Sequence, residues 1–423
     1  MLPCLLAQGN GIFGFGSPRA PKQRPLPDRP PEKATLPPSF TVPVEPLGFS
    51  APGPNYMGQR NSLASLDFLD ENRLLFTFRV PGLMRREDPS EGDARQIRAV
   101  VVAIATGAVE AEALWTVHDR ARYLWMLKDG HFLLRDLDTL QTGDASLQLK
   151  PLLQFPGPLL SLELDPMQRY MVTNSREPAT LPKNGEVQRP STAAASIDVD
   201  DAKPEGQPEL VMRILQRDSG QVMLVGRVRS NVHLAINSDG YVETLRGTGM
   251  QWVLNLNHFS GGSTILGHVE SACLPVLDFV SQQELLVTAC ASGGGRKLTA
   301  LSTDGKKLWE VQTSTDAIWP LLVMAPDGSR LVRETLALNH SLNDYSYILE
   351  AENVRGQLVR VFDAVNGKVA LEAPASPVLD AGGNAAISPS GRRVAVVNAG
   401  AIQVFDLPPP AKPAERAVDQ QVH

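Results

Sequence analysis

The strongest constraint on the fold is a stretch near the C-terminus that is repeated upstream. Residues 385–407 read AAISPSGRRVAVVNAGAIQVFDL, which is a short apolar strand, a turn, a β-branched strand, a second turn and a third strand. A weaker copy of this pattern occupies residues 321–332 and 357–369. The repetition predicts a fold built from similar antiparallel units.

Two pairs of equivalent residues give the length of the repeat. Asp363 and Asp406 end corresponding third strands and lie 43 residues apart, whereas Pro326 and Pro389 lie 63 residues apart in corresponding hairpins. The difference indicates an insertion of 20 residues, which we place between positions 334 and 354. A period of 43 residues with four short strands per unit is typical of a blade of a β-propeller.

First strands of such units recur near positions 66, 122, 160, 233, 275, 319 and 380. The chain is therefore predicted to be an all-β, single β-propeller with seven blades, or six if residues 122–155 do not form a complete blade. The last unit ends at Leu407 with only three strands. Residues 40–49, FTVPVEPLGF, contain prolines that a sheet tolerates at its edge. We predict that this N-terminal segment is the missing outer strand and closes the ring.

The hairpins SPSGRRVAVV and APDGSRLV resemble the first turns of blades in WD-repeat and YVTN-type propellers. The VFD tripeptides that end at Asp363 and Asp406 stand where WD repeats carry Trp-Asp, and STDGKKLWEVQ, at 302–312, resembles the outer hairpin of quinoprotein-type blades. No unit has the Trp-Asp or Gly-His pairs of WD repeats. The resemblance covers roughly residues 40–407 and implies the architecture, not an activity.

The composition of the chain suggests three regions. Residues 1–38 are predicted to be a leader and a proline-rich disordered linker, and residues 408–423 a disordered tail. Residues 39–407 are assigned to the propeller, with surface insertions near 178–208 and 334–354. The first residues, MLPCLLA, resemble the end of a secretory signal, which favours a secreted or periplasmic protein. A disordered tail on a cytoplasmic protein is the alternative.

Charge and hydropathy exclude two classes of partner. The net charge is −6 and the sequence pI about 5.7, which is not the basic balance of a nucleic-acid-binding protein. No apolar run reaches the length that spans a membrane, so no integral membrane segment is expected. We expect a monomer whose partner is an unknown protein or other ligand.

Two of the three cysteines are placed so that they can pair. If the strands that follow Cys273 and precede Cys290 form a hairpin, the two cysteines lie nearly opposite each other. In an exported chain a disulfide there, which would stabilise the fold by up to about 3 kcal/mol, and two buried free thiols are equal alternatives. In a cytosolic chain the free thiols are favoured.

No cofactor or metal site is expected from the spacing of potential ligands. The histidines show no HxxxH or HxH spacing, there is no CxxC pair, and no acidic loop matches a calcium-binding pattern. The second insertion carries Tyr345 and Tyr347, aromatic residues of the kind that protein interfaces favour. We consider this loop a candidate partner surface, with an unspecialised insertion as the alternative.

Our first hypothesis is a non-catalytic, exported propeller that binds a protein or another ligand. The rival is a propeller enzyme, such as a hydrolase, lyase or quinoprotein-like oxidoreductase, with its site at the central channel. An intracellular assembly subunit is a third possibility. Ionisable residues from three or more blades converging at the channel would favour the enzyme. An apolar channel beside an exposed aromatic patch would favour binding.

Overall fold

The computed structural model describes residues 29–51, 63–80, 94–118, 122–178, 209–228, 232–292, 295–312, 317–340 and 351–411. These residues form 27 strands in seven antiparallel sheets, which are the seven blades of a β-propeller, and contain no α-helix. The fold class is therefore as predicted, and the six-bladed alternative is wrong because residues 124–154 form a complete four-stranded blade.

The blades and their strands follow the order of the chain. The first three blades are blade 1 with β2 (Ser65–Phe68), β3 (Arg73–Arg79), β4 (Arg95–Ala103) and β5 (Val109–Val117); blade 2 with β6 (Leu124–Met126), β7 (Phe132–Asp136), β8 (Thr139–Gly143) and β9 (Lys150–Gln154); and blade 3 with β10 (Leu159–Leu164), β11 (Tyr170–Glu177), β12 (Glu209–Gln216) and β13 (Val222–Val228). The next two are blade 4 with β14 (Gly240–Arg246), β15 (Gln251–His258) and β16 (Ser263–Glu270), and blade 5 with β17 (Val276–Phe279), β18 (Glu284–Cys290), β19 (Arg296–Ser302) and β20 (Lys307–Gln312). The last two are blade 6 with β21 (Ala317–Met324), β22 (Arg330–Leu338), β23 (Val354–Asp363) and β24 (Val369–Ala375), and blade 7 with β25 (Ala385–Ile387), β26 (Arg393–Asn398), β27 (Ala401–Asp406) and, from the other end of the chain, β1 (Phe40–Pro43).

The N-terminal strand closes the ring, as predicted. β1 pairs antiparallel with β27, with Phe40 opposite Val404 and Val42 opposite Ile402. The strand is shorter than the predicted 40–49, because the chain turns back after Pro43. The amides of Leu47 and Phe49 both bond to the Val44 carbonyl, so this part of the segment is a turn.

Blade 4 lacks a regular first strand. Its inner segment, residues 232–236, keeps only an isolated bridge between Ile236 and Tyr241. The side chain of Asn237 accepts hydrogen bonds from the amides of Asp239 and Gly240. This side chain closes a local Asn turn that begins immediately after Ile236.

Seven clusters of buried apolar residues occur among the described residues, one at each interface between neighbouring blades. Along β26, Val394 and Val396 face blade 6, whereas Ala395 and Val397 face blade 1. Middle strands are buried on both faces, and for this reason they read as unbroken apolar runs instead of alternating.

The insertion in blade 6 begins inside a strand. β22 continues to Leu338 and β23 starts at Val354. Some of the inserted residues therefore lengthen these two strands at the end where the loop joins them. Tyr345 and Tyr347, which we considered as partner contacts, lie outside the described residues, as does most of the insertion near 178–208.

The strand order decides which loops share a side of the propeller. In each blade, the turns after the first and third strands lie on one side, which we call the turn face. The loops after the second strand and the connections between blades lie on the other side, which we call the connection face.

Candidate functional site

The first strands of the blades line a central cavity of about 240 Å³. The blades can be aligned on the residue that follows each first strand, because its amide closes the first hairpin in every blade. These residues are Leu69, Leu127, Asp165, Asn237, Val280, Ala325 and Ser388. We call the position two residues earlier the inner-ring position, and its occupant lines the cavity in all seven blades.

The inner-ring position carries three acidic residues. In blades 1 to 7 its occupants are Asp67, Trp125, Glu163, Ala235, Asp278, Val323 and Ala386. The acidic residues thus belong to blades 1, 3 and 5, and the other four are apolar or aromatic. The repeat places these carboxylates at one register of the channel although they are about a hundred residues apart in the chain.

His233, at the start of the inner segment of blade 4, lies between two of these carboxylates. Its Nδ1 is 2.6 Å from Glu163 Oε1, and its Nε2 is 3.2 Å from Asp278 Oδ1 and 2.7 Å from the Leu277 carbonyl. Burial alone would lower the pKa of His233, but the hydrogen bonds to Asp278 and Glu163 outweigh it and raise the pKa to about 11. The imidazole is therefore a cation that links blades 3, 4 and 5.

Asp67 has fewer partners. Ser65 Oγ donates a hydrogen bond to its Oδ2 at 2.6 Å. Burial raises the pKa of Asp67, and Ser65 and the charge of Arg122 offset part of this rise. Within the described part of the chain, no cationic group lies within ion-pair distance of this carboxylate.

Arg122 brings a positive charge from blade 2 into the same cavity. Its Nε donates to the Leu124 carbonyl at 3.1 Å, and its guanidinium carbon lies 5.4 Å from the centre of the Trp125 ring. Burial lowers the pKa of Arg122, whereas the nearby charges of Asp67 and Glu163 oppose this shift. Its terminal nitrogens make no ion pair with the residues that the structure describes.

The cluster can hold and orient charged groups. Ionisable side chains from five blades converge here, which is the arrangement we expected of an enzyme. However, His233 donates through both ring nitrogens and has no free lone pair for general base catalysis. Among the described residues there is also no group of three side chains placed to bind a metal ion.

The disulfide candidates lie apart from this cluster. Cys273 and Cys290 are joined by a disulfide with 5.5 Å between their Cα atoms. Cys273 precedes β17 and Cys290 is the last residue of β18, and neither lines the central cavity. The bond therefore fastens one blade internally.

Sequence reasoning missed the acidic inner-ring residues, although a signal was present. The segments LDFL, LELD and LDFV carry Asp67, Glu163 and Asp278 between apolar residues immediately before a hairpin turn. In a first strand that is otherwise apolar, an acidic residue two positions before the turn is unusual. Aligning the first strands of the blades, in addition to their turns, would have brought the three together.

Comparisons with known proteins show a likeness of fold. No protein family model matches the chain, and no curated protein matches it. Among solved structures it is similar to an acylaminoacyl peptidase of Pyrococcus horikoshii at 10% identity and a TM-score of 0.45, covering 80% of this chain and 50% of that one. The chain thus spans about half the length of that peptidase.

Two other solved structures have comparable likeness. The β-propeller domain of the trilobed protease from Pyrococcus furiosus is 11% identical with a TM-score of 0.43, covering 83% of this chain and 95% of that one. TolB from Acinetobacter baumannii is 13% identical with a TM-score of 0.36, covering 76% and 77%. Among the described residues, no helix is long and apolar enough to cross a lipid bilayer.

Proposed function

We propose that this propeller is a non-catalytic binding protein whose ligand, or part of a partner protein, enters the central channel. The observation that carries the proposal is the cluster of charged residues around the cavity, in which His233 is fixed by Glu163 and Asp278. The cluster offers several fixed charges for recognition. Its one histidine is already used as a structural cation, which leaves the carboxylates as the proton acceptors of the cluster.

The test compares two bulky substitutions in the same blade. Val323→Phe adds volume at the inner ring, whereas Val369→Phe adds the same volume on the exposed outer strand β24. We expect ligands found in a thermal-shift screen of amines, amino acids, dicarboxylates and short peptides to bind Val323→Phe at least about tenfold more weakly. Binding to Val369→Phe should be unchanged. Equal binding by both variants would place the binding site elsewhere.

A hydrolytic enzyme is the second candidate, and one observation favours it. The Ser65 hydroxyl is 2.6 Å from Asp67, whose pKa is raised, and Arg122 is close enough to influence that pKa. A hydroxyl beside a carboxylate and a nearby cation are components of some nucleophilic sites. Turnover of p-nitrophenyl acetate that is lost in Ser65→Ala, but kept in the exposed-turn control Ser219→Ala, would support the enzyme and contradict the binding protein.

We also infer that the protein works in an oxidising compartment. The bond between Cys273 and Cys290 supports this inference, since disulfides persist mainly in secreted and periplasmic proteins. Thiol titration of the protein purified after export and after cytosolic expression tests it. We expect these two cysteines to be unreactive only in the exported protein.

A further inference from the structure

The charges around the inner ring do not balance. Asp67, Glu163 and Asp278 supply three carboxylates, whereas Arg122 and His233 supply two cations. His233 contacts Glu163 and Asp278 directly, and among the described residues no cation lies at ion-pair distance from Asp67. Asp67 is half-buried in the cavity wall and accepts a hydrogen bond from Ser65. A carboxylate that faces a cavity lined by protein favours a second donor or a positive charge there.

The charged groups at the turn-face end of the cavity do not correct this imbalance. Lys128 and Asp165 both line the cavity there. Burial lowers the pKa of Lys128, and the charges of Asp165 and Asp327 oppose that shift. The lysine is therefore matched by two carboxylates of its own surroundings, and the excess negative charge stays in the channel.

We propose that the channel binds an organic monocation, with an ammonium group at Asp67 and a short aliphatic chain along the apolar inner-ring residues. This inference rests on the proposed function and names its ligand class. Trp125, Ala235 and Val323 give one level of the cavity an apolar wall, which suits methylene groups better than a hydrated metal ion. Arg122 would repel a second positive charge, which limits the ligand to one cationic group.

The same chemistry can come from a free amine or from a lysine side chain of a partner protein. Isothermal titration calorimetry with n-pentylamine, glutarate and 1-pentanol tests the charge preference in the wild-type protein, and N-acetyl-lysine methylamide tests the lysine source. We expect pentylamine to bind at least about tenfold more tightly than pentanol or glutarate. Tighter binding of N-acetyl-lysine methylamide than of pentylamine would indicate a partner's side chain, and the reverse a free amine.

Variants then locate the cation. Asp67→Asn should weaken pentylamine binding at least about tenfold. Asp218→Asn makes the same change of charge at a site where the side chain is 79% exposed, and it should bind like the wild type. Equal affinities of the two variants would overturn the proposal. If Asp67→Asn fails to fold, the affinities of the wild-type protein for pentylamine, glutarate and pentanol still test the proposal.

The outcomes separate this inference from the proposed function. If glutarate binds most tightly and Arg122→Gln removes that binding, the channel binds ligands but the charge class proposed here is wrong. If no ligand in the wider screen binds in a way that Val323→Phe weakens, the channel is not a binding site and both proposals fail.

Discussion

At the scale of single residues, one position on the second strand of several blades joins that blade to the next. Thr77 of blade 1 bonds the Tyr123 hydroxyl at 2.7 Å, and Asn174 of blade 3 donates to the carbonyl of Val232 at 2.8 Å. In blade 6 the position is Glu334, which accepts from amides that lead into blade 7. These polar contacts fix the relative position of blades, which apolar packing alone specifies poorly.

Glu334 makes the stability of the propeller depend on pH. Burial raises its pKa to about 7, although hydrogen bonds from the amides of Gly383, Ala385 and Asn384 and from Gln357 act in the opposite direction. Between the ordinary value of 4.5 and about 7, the folded protein holds a proton that the unfolded chain has released. The free energy of unfolding should therefore fall by about 3 kcal/mol as the pH rises through this window.

Urea denaturation at intervals from pH 4.5 to 8 measures this effect, with Glu334→Gln as the comparison. The variant should lose most of the decline across the window, because its side chain does not titrate. A second decline, due to His233, should begin near pH 6.5 in both proteins and continue towards pH 11, since the folded state keeps that proton to higher pH. A parallel decline between pH 4.5 and 6.5 in both would contradict the role of Glu334.

At the scale of the structural element, blade 5 carries a disulfide that joins the segment before β17 to the end of β18. β17 has only four residues, and the segment before it bonds to the end of β18 through the Ala272 amide and the Cys290 carbonyl at 3.0 Å. The Ser271 hydroxyl accepts from the Cys290 amide at the same distance. The disulfide adds to these contacts where the short strand leaves the sheet.

Removing the disulfide should destabilise the protein without changing the fold. The closed loop spans 17 residues of sequence separation, for which chain entropy predicts a loss of about 3 kcal/mol in Cys273→Ser/Cys290→Ser. Guanidinium denaturation with and without dithiothreitol measures it. The reductant should lower the midpoint of the wild type to that of the double variant and leave the variant unaffected. A wild type indifferent to dithiothreitol, with titratable thiols, would mean that the bond does not form.

At the scale of the whole molecule, the first and last parts of the chain complete one blade together. β1 contributes Val42, which is 3% exposed, to the apolar cluster between blades 7 and 1. This pairing closes the ring, since the last three strands alone leave blade 7 without its outer strand. The stability of all seven blades therefore depends on a segment that lies before the first of them.

Two substitutions on β1 test the closure. Val42→Asp places a charge among buried apolar residues and should lower the free energy of unfolding by at least about 3 kcal/mol. Thr41→Asp, one residue earlier on the exposed side of the strand, should change it by about 0.5 kcal/mol or less. Thermal unfolding followed by circular dichroism gives both values. Similar losses in the two variants would mean that β1 does not pack as described.

The sequence by itself determined the blade architecture, because hairpins are local. Turns such as Pro326-Asp327-Gly328 and the apolar runs beside them are set by neighbouring residues, and their recurrence along the chain predicted seven blades with six as the alternative. The same reasoning identified the N-terminal closing strand, since blade 7 lacked a partner. The lack of a regular first strand in blade 4 could not be predicted, because the pairing of residues 232–236 is decided by contacts that form only in the folded sheet.

The tertiary structure alone decided which side chains meet. Asp67, Glu163 and Asp278 are far apart in sequence, and their meeting depends on the curvature of the ring and the register of each first strand. His233 reads from the sequence as an ordinary histidine, and it becomes a permanent cation only between two carboxylates from other blades. Local sequence encodes each blade, but the channel is formed by contacts between blades, and its chemistry therefore appears only when the ring is closed.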